Sequence, residues 1–481
     1  MIIKTSDGKE VPVEMYKIKI IQNINLIPAA ERLKAIEAAG YNTFSLRSKD
    51  VFIDMLTDSG TNAMSDNQLG ALMYYDDAYA GSESFYKLAQ SVYDILGFKY
   101  VLPTHQGRAS EHLLAKVFVQ EGSAVLTNYH FTTTKAHIEL VGGEVVEIYG
   151  DEALKTESTH LFKGNMDTQK LKDTIKKYGK DKIAFVRMEA TTNLIGGQPF
   201  SIENLKEVKK ICAEEGLLLV MDGSLLAENA YLIQQREKGY EKKSVAEIVQ
   251  KITSLVDLFY MSARKNSSVK GSIIATNNAD LYEKIKPWLP VYEGFLTYGG
   301  MSTKEVEAMA VGVREMVEDK VASSTIEQVK YFVDSLHSKG IPVITPPGGL
   351  ACHLDAKKFL PHIPQNEYPA GALSAALYIV AGVRSMERGT ISMDRDKDGK
   401  EMYADLEITR LAVPRRVYTI SHIEYIIDRL LWLYSQRAFV KGLTFVEEPP
   451  ILRFFFGKLK ALENWSKTLC DAFKKEFGDD V

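Results

Sequence analysis

Apolar residues recur along the middle of the chain in two alternating spacings, one typical of helices and one of buried strands. After Ser82, the segment ESFYKLAQSVYDIL brings its large apolar residues to one face at helical spacing, and Gly97 stands where a helix would end. Short apolar runs follow, interleaved with helical segments near residues 109–120 and in LKDTIKKYG and LKEVKKICAEEG; the runs are FKYVL, AVLTN, EVVEIY, IAFVRM, LLLVMD, LVDLFYM and SIIAT. This alternation predicts an α/β fold with a mainly parallel sheet, whose active loops lie at the carboxyl ends of the strands.

The pattern changes after about residue 318. Helical spacing in TIEQVKYFVDSLHSKG, GALSAALYIVAG and HIEYIIDRLLWLYSQ alternates with the strand-like segments IPVITPPGGLACHLD and EITRLAV. These segments predict a smaller α+β domain, joined by part of the N-terminal segment. The predicted division is an N-terminal arm with part of the small domain (1–64), a large domain (65–317) and a small C-terminal domain (318–481).

Composition narrows the possible functions. The 481 residues are 45% hydrophobic and carry a net charge of −4, without a basic block, so neither nucleic acid nor a membrane surface is expected as a partner. The N-terminal stretch has no apolar region of a secretion signal, and we expect a cytoplasmic protein. The three cysteines, Cys212, Cys352 and Cys470, lie far apart and indicate neither a disulfide framework nor a thiolate metal site.

One strand-to-helix crossing, VLPTHQGRASEHLL, has the character of an anion site. Gly107 allows close backbone approach, the amides of the following helix point at the ligand, and Arg108 adds a fixed charge. An ordinary turn with a surface arginine remains the alternative. The chain has no GxGxxG after its first strand and no GxxxxGK[ST], which argues against a dinucleotide or P-loop site.

Asp222 and the segment SARKNSSVKG suggest the ligand. Asp222 ends an almost wholly apolar strand, where a carboxylate is costly unless it faces a cation such as a protonated pyridine nitrogen. Enzymes that use pyridoxal phosphate pair such an acid with a lysine that binds the cofactor aldehyde, and Lys265 lies at the end of a neighbouring strand. Ser262 can bind the phosphate. A solvated turn after a strand is the alternative interpretation of this basic segment.

Taken together, the chain resembles the β-eliminating lyase family over nearly its whole length. The resemblance is carried by the strings YNTF, MLTDSGTNAMSD, DDAYAGSESFY, PTHQGR, FTTT, NLIGGQP, SARK, YEGFLTYGG, GVRSMERG and TRLAVPRR. It implies the aspartate-aminotransferase type of fold, fold type I of the pyridoxal phosphate enzymes. GVRSMERG, PRRVYT and LRFF favour the branch that acts on tyrosine over the branch that acts on tryptophan.

The resemblance also implies a role for individual residues. Lys265 matches the lysine that holds the cofactor, Asp222 the partner of its pyridine nitrogen and Phe131 the ring stacked on it. Tyr298 would reach the cofactor from a neighbouring subunit, and the expected assembly is a homotetramer of dimers with shared active sites. The residues that match the phosphate cradle are Gln106, Gly107, Arg108 and Ser262.

On the substrate side, Asn193 and Arg410 match the groups that hold the carboxylate, and Asn193 also borders the cofactor. Tyr79 resembles the acid that protonates the leaving carbon. Thr132 and Arg388 resemble the pair that binds a phenolic hydroxyl, although a surface salt bridge would be the ordinary interpretation of Arg388 without the family. The remaining residues expected at the substrate are Thr57, Ser59, Met386 and Phe454.

The chain departs from the family pattern around this chemistry. Arg264 precedes the lysine where the family has a second lysine, Leu225 replaces an arginine, and Leu350 replaces the histidine of GGH. Gly60 and Asp77 fall at the family's potassium site, where Lys270 could replace the ion or lie on a solvated loop beside it.

The activity implied is β-elimination of L-tyrosine, or a related aryl amino acid, to phenol, pyruvate and ammonia. The alternatives are a tryptophanase-like enzyme, a biosynthetic β-replacement enzyme that uses pyridoxal phosphate, and a relative that binds the cofactor with altered activity. The departures at positions 225, 264 and 350 concern substrate and turnover more than cofactor or fold.

Overall fold

The structure is a computed structural model that describes residues 1–479. Its strands lie mainly in two sheets, one large and one small, with three two-stranded pairs at the periphery. In chain order the strands are β1 (Ile2–Lys4), β2 (Glu10–Pro12), β3 (Ile53–Asp54), β4 (Tyr100–Thr104), β5 (Ala124–Thr127), β6 (Glu144–Glu147), β7 (Ile183–Glu189), β8 (Leu219–Asp222), β9 (Leu258–Ser262), β10 (Ser272–Thr276), β11 (Ala351–Asp355), β12 (Val383–Arg384), β13 (Met386–Arg388), β14 (Ile408–Ala412), β15 (Leu443–Glu447) and β16 (Lys458–Ala461).

Helices cover both faces of the large sheet and pack against the small one. In chain order they are α1 (Ala29–Ala38), α2 (Asp66–Ala71), α3 (Glu83–Leu96), α4 (Gly107–Phe118), α5 (Thr132–Leu140), α6 (Thr168–Tyr178), α7 (Ile202–Glu215), α8 (Leu226–Arg236), α9 (Val245–Thr253), α10 (Ala279–Ile285), α11 (Leu289–Tyr292), α12 (Thr303–Glu315), α13 (Asp319–His337), α14 (Ala356–Phe359), α15 (Pro369–Ala381), α16 (Ile420–Ser435), α17 (Arg453–Phe456) and α18 (Trp465–Phe477).

The large sheet has seven strands in the order β4-β10-β9-β8-β7-β5-β6. Strands β6, β5, β7, β8 and β9 run parallel to one another, whereas β10 is antiparallel to both of its neighbours, β4 and β9. Strand β4 therefore runs in the same direction as β9. The carboxyl ends of six strands meet at one edge of the sheet, and the prediction of a mainly parallel α/β sheet is confirmed.

The small sheet, β11-β14-β13, is antiparallel and packs with α15, whose residues are all buried. The hydrophobic core around α15 joins buried residues from Val329 to Phe473 with others from Ala29 to Met55. The segment before residue 56 thus packs with the last third of the chain. The domain boundaries at residues 64 and 317 stay a prediction.

Two segments differ from the expected elements. The predicted strand IPVITPPGGLACHLD pairs regularly only over Ala351–Asp355, because three prolines lack the N–H that a ladder needs and two glycines weaken a strand. Helix α5 was not predicted, because its three consecutive threonines do not show helical apolar spacing. Within residues 1–479, the helices lack the length and hydrophobicity that a membrane span requires.

Candidate active site

A cavity of about 270 Å³ lies where the carboxyl ends of β4, β5, β7, β8 and β9 face the small sheet. It contains most of the site residues predicted from sequence, although these are spread over some 400 residues of the chain. The predicted residues that line it are Thr57, Ser59, Gln106, Gly107, Arg108, Phe131, Thr132, Asn193, Asp222, Ser262, Lys265, Met386, Arg388, Arg410 and Phe454.

The expected anion cradle lies where β4 leads into α4. Gly107 begins the helix, and a Cβ at this position would come within 2.9 Å of the Ser262 Cβ. Such a contact is closer than side-chain packing allows, so the cradle requires glycine here. The first-turn amides of α4 and the Arg108 side chain face the same cavity as the Ser262 hydroxyl, which suits a phosphate group.

Asp222 is buried at the end of β8 among donors. Its Oδ2 accepts hydrogen bonds from Arg187 Nη2 (2.6 Å) and the Tyr260 hydroxyl (3.0 Å), and Oδ1 accepts one from the Ser224 amide (3.0 Å). Burial alone would raise the pKa of this carboxyl, but the charges of Arg187 and Lys265 outweigh burial and hold its pKa below the ordinary value. Asp222 is therefore an anion fixed in place beside the cavity.

Sequence reasoning missed the ion pairs that support this carboxylate. Arg187, on β7, also binds Glu189 Oε2, at 3.1 Å from both Nη atoms. Both residues interrupt the apolar run of IAFVRME, and a charge inside a buried strand is the same signal that selected Asp222 in LLLVMD.

Lys265 follows β9, and its Nζ lies 5.4 Å from the centre of the Phe131 ring. The loop that carries it is held by backbone contacts: Asn62 Nδ2 donates to the Lys265 carbonyl (2.9 Å) and the Gly60 amide to the Arg264 carbonyl (2.8 Å). The Arg264 guanidinium packs so closely on Gly60 that a Cβ there would lie 2.5 Å from Nη2.

A buried ion pair, Arg415 with Glu228, holds the far side of the same loop. Arg415 Nη1 donates to the Asn266 carbonyl (2.7 Å), and the Asn266 side chain donates to Glu228 and accepts a bond from the Ala227 amide (2.9 Å). These residues were not expected at the site. They fix the backbone on either side of Lys265 through bonds that link residues distant in sequence.

Arg410 and Asn193, the two residues predicted to hold the substrate carboxylate, are in direct contact. Arg410 Nη1 donates to Asn193 Oδ1 (2.8 Å) and Nη2 to the Leu56 carbonyl (3.0 Å). Its Nε is buried, and it has no hydrogen-bond partner in the part of the chain that the structure describes. Burial lowers the pKa of Arg410 to about 10, and nearby Asp58, itself fully buried, has a pKa raised by burial.

Arg388 and Thr132 meet at another part of the cavity wall. Arg388 Nη1 donates to Thr132 Oγ1 (3.2 Å), and the guanidinium carbon lies 5.7 Å from the Phe131 ring centre and 5.4 Å from that of Phe454. Burial, with the charge of Arg410, lowers the pKa of Arg388 to about 9. Its Nε lacks a partner among residues 1–479. This wall pairs aromatic surface with an unsatisfied donor.

Five predicted residues do not line the cavity in the described chain. Gly60 packs against the loop that carries Lys265, and the other four are Tyr79, Tyr298, Asp77 and Lys270. Tyr79 is 74% exposed, and its ring centre is 5.6 Å from those of Tyr298 and Phe295. Lys270 is exposed, and Asp77 accepts a hydrogen bond from Thr303 (2.5 Å). No ion pair joins Lys270 to Asp77 in residues 1–479, and no group of three acids, histidines or cysteines there could hold a metal.

Two of the three departures from the family pattern are neighbours in space. Leu225, which lines the cavity, and Leu350 pack together with Ala351 and Ala412 in one small apolar cluster. Each leucine is at most 2% exposed. A polar side chain at either position would be buried in this apolar cluster. The two positions therefore depend on each other through direct contact, and Leu225 carries that contact to the cavity wall.

These residues match the chemical groups of pyridoxal phosphate. The glycine cradle with Ser262 and Arg108 suits the phosphate, the fixed Asp222 anion suits a protonated pyridine nitrogen, and Lys265 beside Phe131 suits the aldehyde and ring.

Solved structures share this fold. A serine palmitoyltransferase variant from S. paucimobilis, solved with a bound PLP-myriocin aldimine, superposes with a TM-score of 0.56 at 11% identity, covering 82% of this chain and 89% of that one. A threonine aldolase from Leishmania major gives a TM-score of 0.55 at 14% identity, covering 79% and 99%. The chain therefore has the fold of the pyridoxal phosphate enzymes of fold type I, as predicted.

Sequence comparison narrows the class further. A model of the family described as beta-eliminating lyase matches residues 54–429. The tyrosine phenol-lyase of Symbiobacterium thermophilum is 46% identical over 451 residues, covering 93% of this chain and 98% of that protein. That of Nostoc punctiforme is 44% identical over 449 residues, covering 93% and 96%. The chain belongs to the β-eliminating lyase family, as its sequence motifs indicated.

Proposed function

We propose that this protein uses pyridoxal phosphate to cleave L-tyrosine into phenol, pyruvate and ammonia, consuming one water. The observation that carries the proposal is the arrangement of two buried arginines around one cavity. Arg410 with Asn193 suits a carboxylate, and Arg388 with Thr132, between two phenylalanine rings, suits a phenolic hydroxyl. A tyrosine molecule presents both groups at opposite ends. The names of the relatives support the same substrate.

The cofactor, when bound, supplies an electron sink for the carbanion at the substrate Cα. Lys265 would hold it and move the Cα proton, since its Nζ lies beside Phe131 and faces Asp222 across the cavity. The planar fork of Arg410 binds both carboxylate oxygens and orients the Cα–H bond toward Lys265. Thr57 and Ser59 line the same cavity, and so does Met386, whose sulfur lies 3.0 Å from Arg410 Nη2 and would border the substrate beside the arginine.

The aryl carbon must gain a proton before its bond to Cβ breaks, and we assign that proton to Tyr79. A tyrosine phenol is protonated at neutral pH and can donate its proton when positioned, and the hydrogen bond with Tyr298 raises the pKa of Tyr79 further. Both tyrosines lie outside the cavity of their own chain, so in this proposal they serve the cavity of a second chain.

An assembly of several chains is part of the proposal. Besides Tyr79, the segment from residue 18 to residue 24 exposes Ile18, Ile20, Ile21 and Ile24, and Ile21 is 77% exposed. A run of exposed isoleucines is costly in water and is typical of a subunit contact. A cytoplasmic homotetramer of dimers would cover this segment and bring the tyrosine pair to the neighbouring cavity.

The monovalent cation belongs to the same proposal. We propose that the Lys270 ammonium replaces potassium between subunits, where its three donors could meet Asp77 of a second chain. Activity should then be nearly equal in sodium, potassium or a large organic cation, and Lys270→Asn should create a potassium requirement. A wild-type enzyme that stops without potassium would contradict the replacement.

Pyruvate formation is the direct test of the activity. The purified protein loaded with pyridoxal phosphate should release pyruvate from L-tyrosine in equal amounts with phenol. L-tryptophan and S-alkylcysteine serve as comparison substrates. Preference for tryptophan would overturn the assignment of tyrosine, and transfer to an added nucleophile without pyruvate would indicate β-replacement instead.

A further inference from the structure

A second cavity, of about 510 Å³, adjoins the reaction cavity. We name it the vestibule and define it by Tyr129, His130, Val146, Tyr149 and Met402, which line it and do not line the reaction cavity. Thr132 and Arg388 line both cavities and form their common wall. Its volume lies in the range of small-molecule sites. Met402, 43% exposed, and Tyr403, 51% exposed, bring the vestibule to the protein surface.

Aromatic rings form one wall of the vestibule. The Tyr129 and His130 rings stack with their centres 5.0 Å apart, and Tyr149 lies 5.4 Å from Tyr129. Hydrogen bonds fix these rings: the Tyr129 hydroxyl donates to Asp405 Oδ2 (2.9 Å) and His130 pairs with Glu147. Tyr129 is itself buried and Lys170 Nζ lies 4.5 Å from the centre of the Tyr149 ring, so this wall offers an aromatic guest a mixed surface of rings and polar groups.

The common wall offers hydrogen-bond donors. Arg388 Nη1 donates a hydrogen bond to Thr132 Oγ1, whereas the buried Nε has no hydrogen-bond partner in the described residues. A guanidinium carries five N–H groups on different edges of one plane, so one arginine can bind an oxygen on more than one side. Phe131 and Phe454 hold that plane at the boundary between the cavities.

We propose that the vestibule is a binding site for neutral phenol, which passes between the reaction cavity and solvent along Arg388 and Thr132. The inference rests on the proposed function, because phenol is the product that this function releases. Arg388 would bind the phenolic hydroxyl in the reaction cavity and then in the vestibule, so the arene leaves by a path that the carboxylate-binding end does not share.

Equilibrium dialysis of radiolabelled phenol against the holoenzyme tests the proposal without turnover. The wild type should bind two phenol molecules per chain, one in each cavity. Val146→Trp places an indole in the vestibule from strand β6, away from the reaction cavity, and should reduce the number to one. The matched control is Val446→Trp on strand β15, where the side chain is 60% exposed, and it should still bind two.

Met402→Trp fills the mouth of the vestibule and decides the question if Val146→Trp does not fold. A single phenol bound by the wild type would overturn the proposal, as would two phenols bound by folded Val146→Trp or Met402→Trp. The proposed function fails by a different result, namely the absence of pyruvate from tyrosine, which leaves the number of bound phenols unaffected.

Discussion

Lys265 and Lys270 lie five residues apart but in different surroundings, which makes them a matched pair for substitution. Lys265 faces the cavity beside Phe131, whereas Lys270 is exposed. Lys265→Ala should therefore abolish the visible absorbance of lysine-bound cofactor and reduce activity by several orders of magnitude, with the circular dichroism spectrum unchanged. Lys270→Ala should keep the absorbance. Unchanged absorbance in Lys265→Ala would show that another residue holds the cofactor.

Arg388 should decide between substrates. A hydrogen bond to a charged group contributes about 1.5 to 3 kcal/mol, so Arg388→Ala should lower kcat/KM for tyrosine about tenfold to a hundredfold. S-alkylcysteine has no hydroxyl for this arginine, and its elimination should change much less. Comparing kcat/KM for the two substrates in wild type, Arg388→Ala and Arg388→Lys measures the effect. Equal losses on both substrates would mean that Arg388 only supports the local structure.

For single residues, the sequence predicted the site best where a charge ends an apolar run or a glycine lies between a strand and a helix. Asp222 was identified because it ends an apolar run and Gly107 because it lies between a strand and a helix, and family motifs identified Arg388 and Arg410. Glu228 and Arg415 did not stand out, because their significance lies in a buried pair between residues remote in sequence. The contact between Leu225 and Leu350 could not be predicted either, because in the sequence each leucine is only a separate replacement of a polar residue.

Among the elements, helices with strong apolar periodicity and strands made of apolar runs agree with the sequence prediction. Helix α5 does not, and its first turn depends on a partner outside the helix. Glu111, on α4, accepts hydrogen bonds from the hydroxyls of Thr133 (2.7 Å) and Thr134 (2.6 Å). Burial and Asp222 raise the pKa of Glu111 to about 7, and this residue joins the phosphate cradle to the segment that carries Thr132. The spacing of apolar residues along the sequence cannot predict hydrogen bonds between two helices.

The turn after β13 depends on two buried acids. Glu387 accepts bonds from the amides of Gly389 (2.6 Å) and Ile391 (3.2 Å), and Glu407 accepts one from the amide of Thr390 (2.8 Å). Burial and the neighbouring Glu407 raise the pKa of Glu387 to about 7. This turn follows directly after Arg388. The protonation of Glu387 and Glu407 therefore affects the backbone beside the wall between the two cavities.

The raised pKa makes stability depend on pH in a defined direction. Glu387 holds its proton in the folded protein between its ordinary pKa and about 7, so its contribution to stability falls as pH rises through that window. Wild type should lose on the order of 2 to 3 kcal/mol relative to Glu387→Gln between pH 5 and pH 8. Thermal unfolding midpoints of both proteins across this range measure the difference. Parallel curves would show that Glu387 titrates normally.

For the whole molecule, the position of Tyr79 predicts complementation between chains. Tyr79→Phe and Lys265→Ala should each be inactive on tyrosine alone. When the two are co-expressed in equal amounts and pair at random, about a quarter of the cavities combine an intact lysine with an intact tyrosine from the partner. Activity should recover to about that fraction of wild type.

The matched control pairs Lys265→Ala with Arg410→Ala, two residues that line one cavity of one chain. This pair should recover no activity. No recovery from the pair with Tyr79→Phe would place the tyrosine in the site of its own chain, and assembly would then have no part in proton transfer.

The reaction cavity also has an order of completion during synthesis. The cradle, the acid and the lysine all precede residue 276, where β10 ends between β4 and β9. The opposite wall needs Phe454 and Phe455, and Phe455 packs edge-on against Phe44 with ring centres 4.9 Å apart. During translation, the residues proposed to bind the cofactor are therefore synthesised long before those that enclose the amino acid. The substrate pocket is then still incomplete, and selection of the amino acid waits for the segment that carries Phe454 and Phe455.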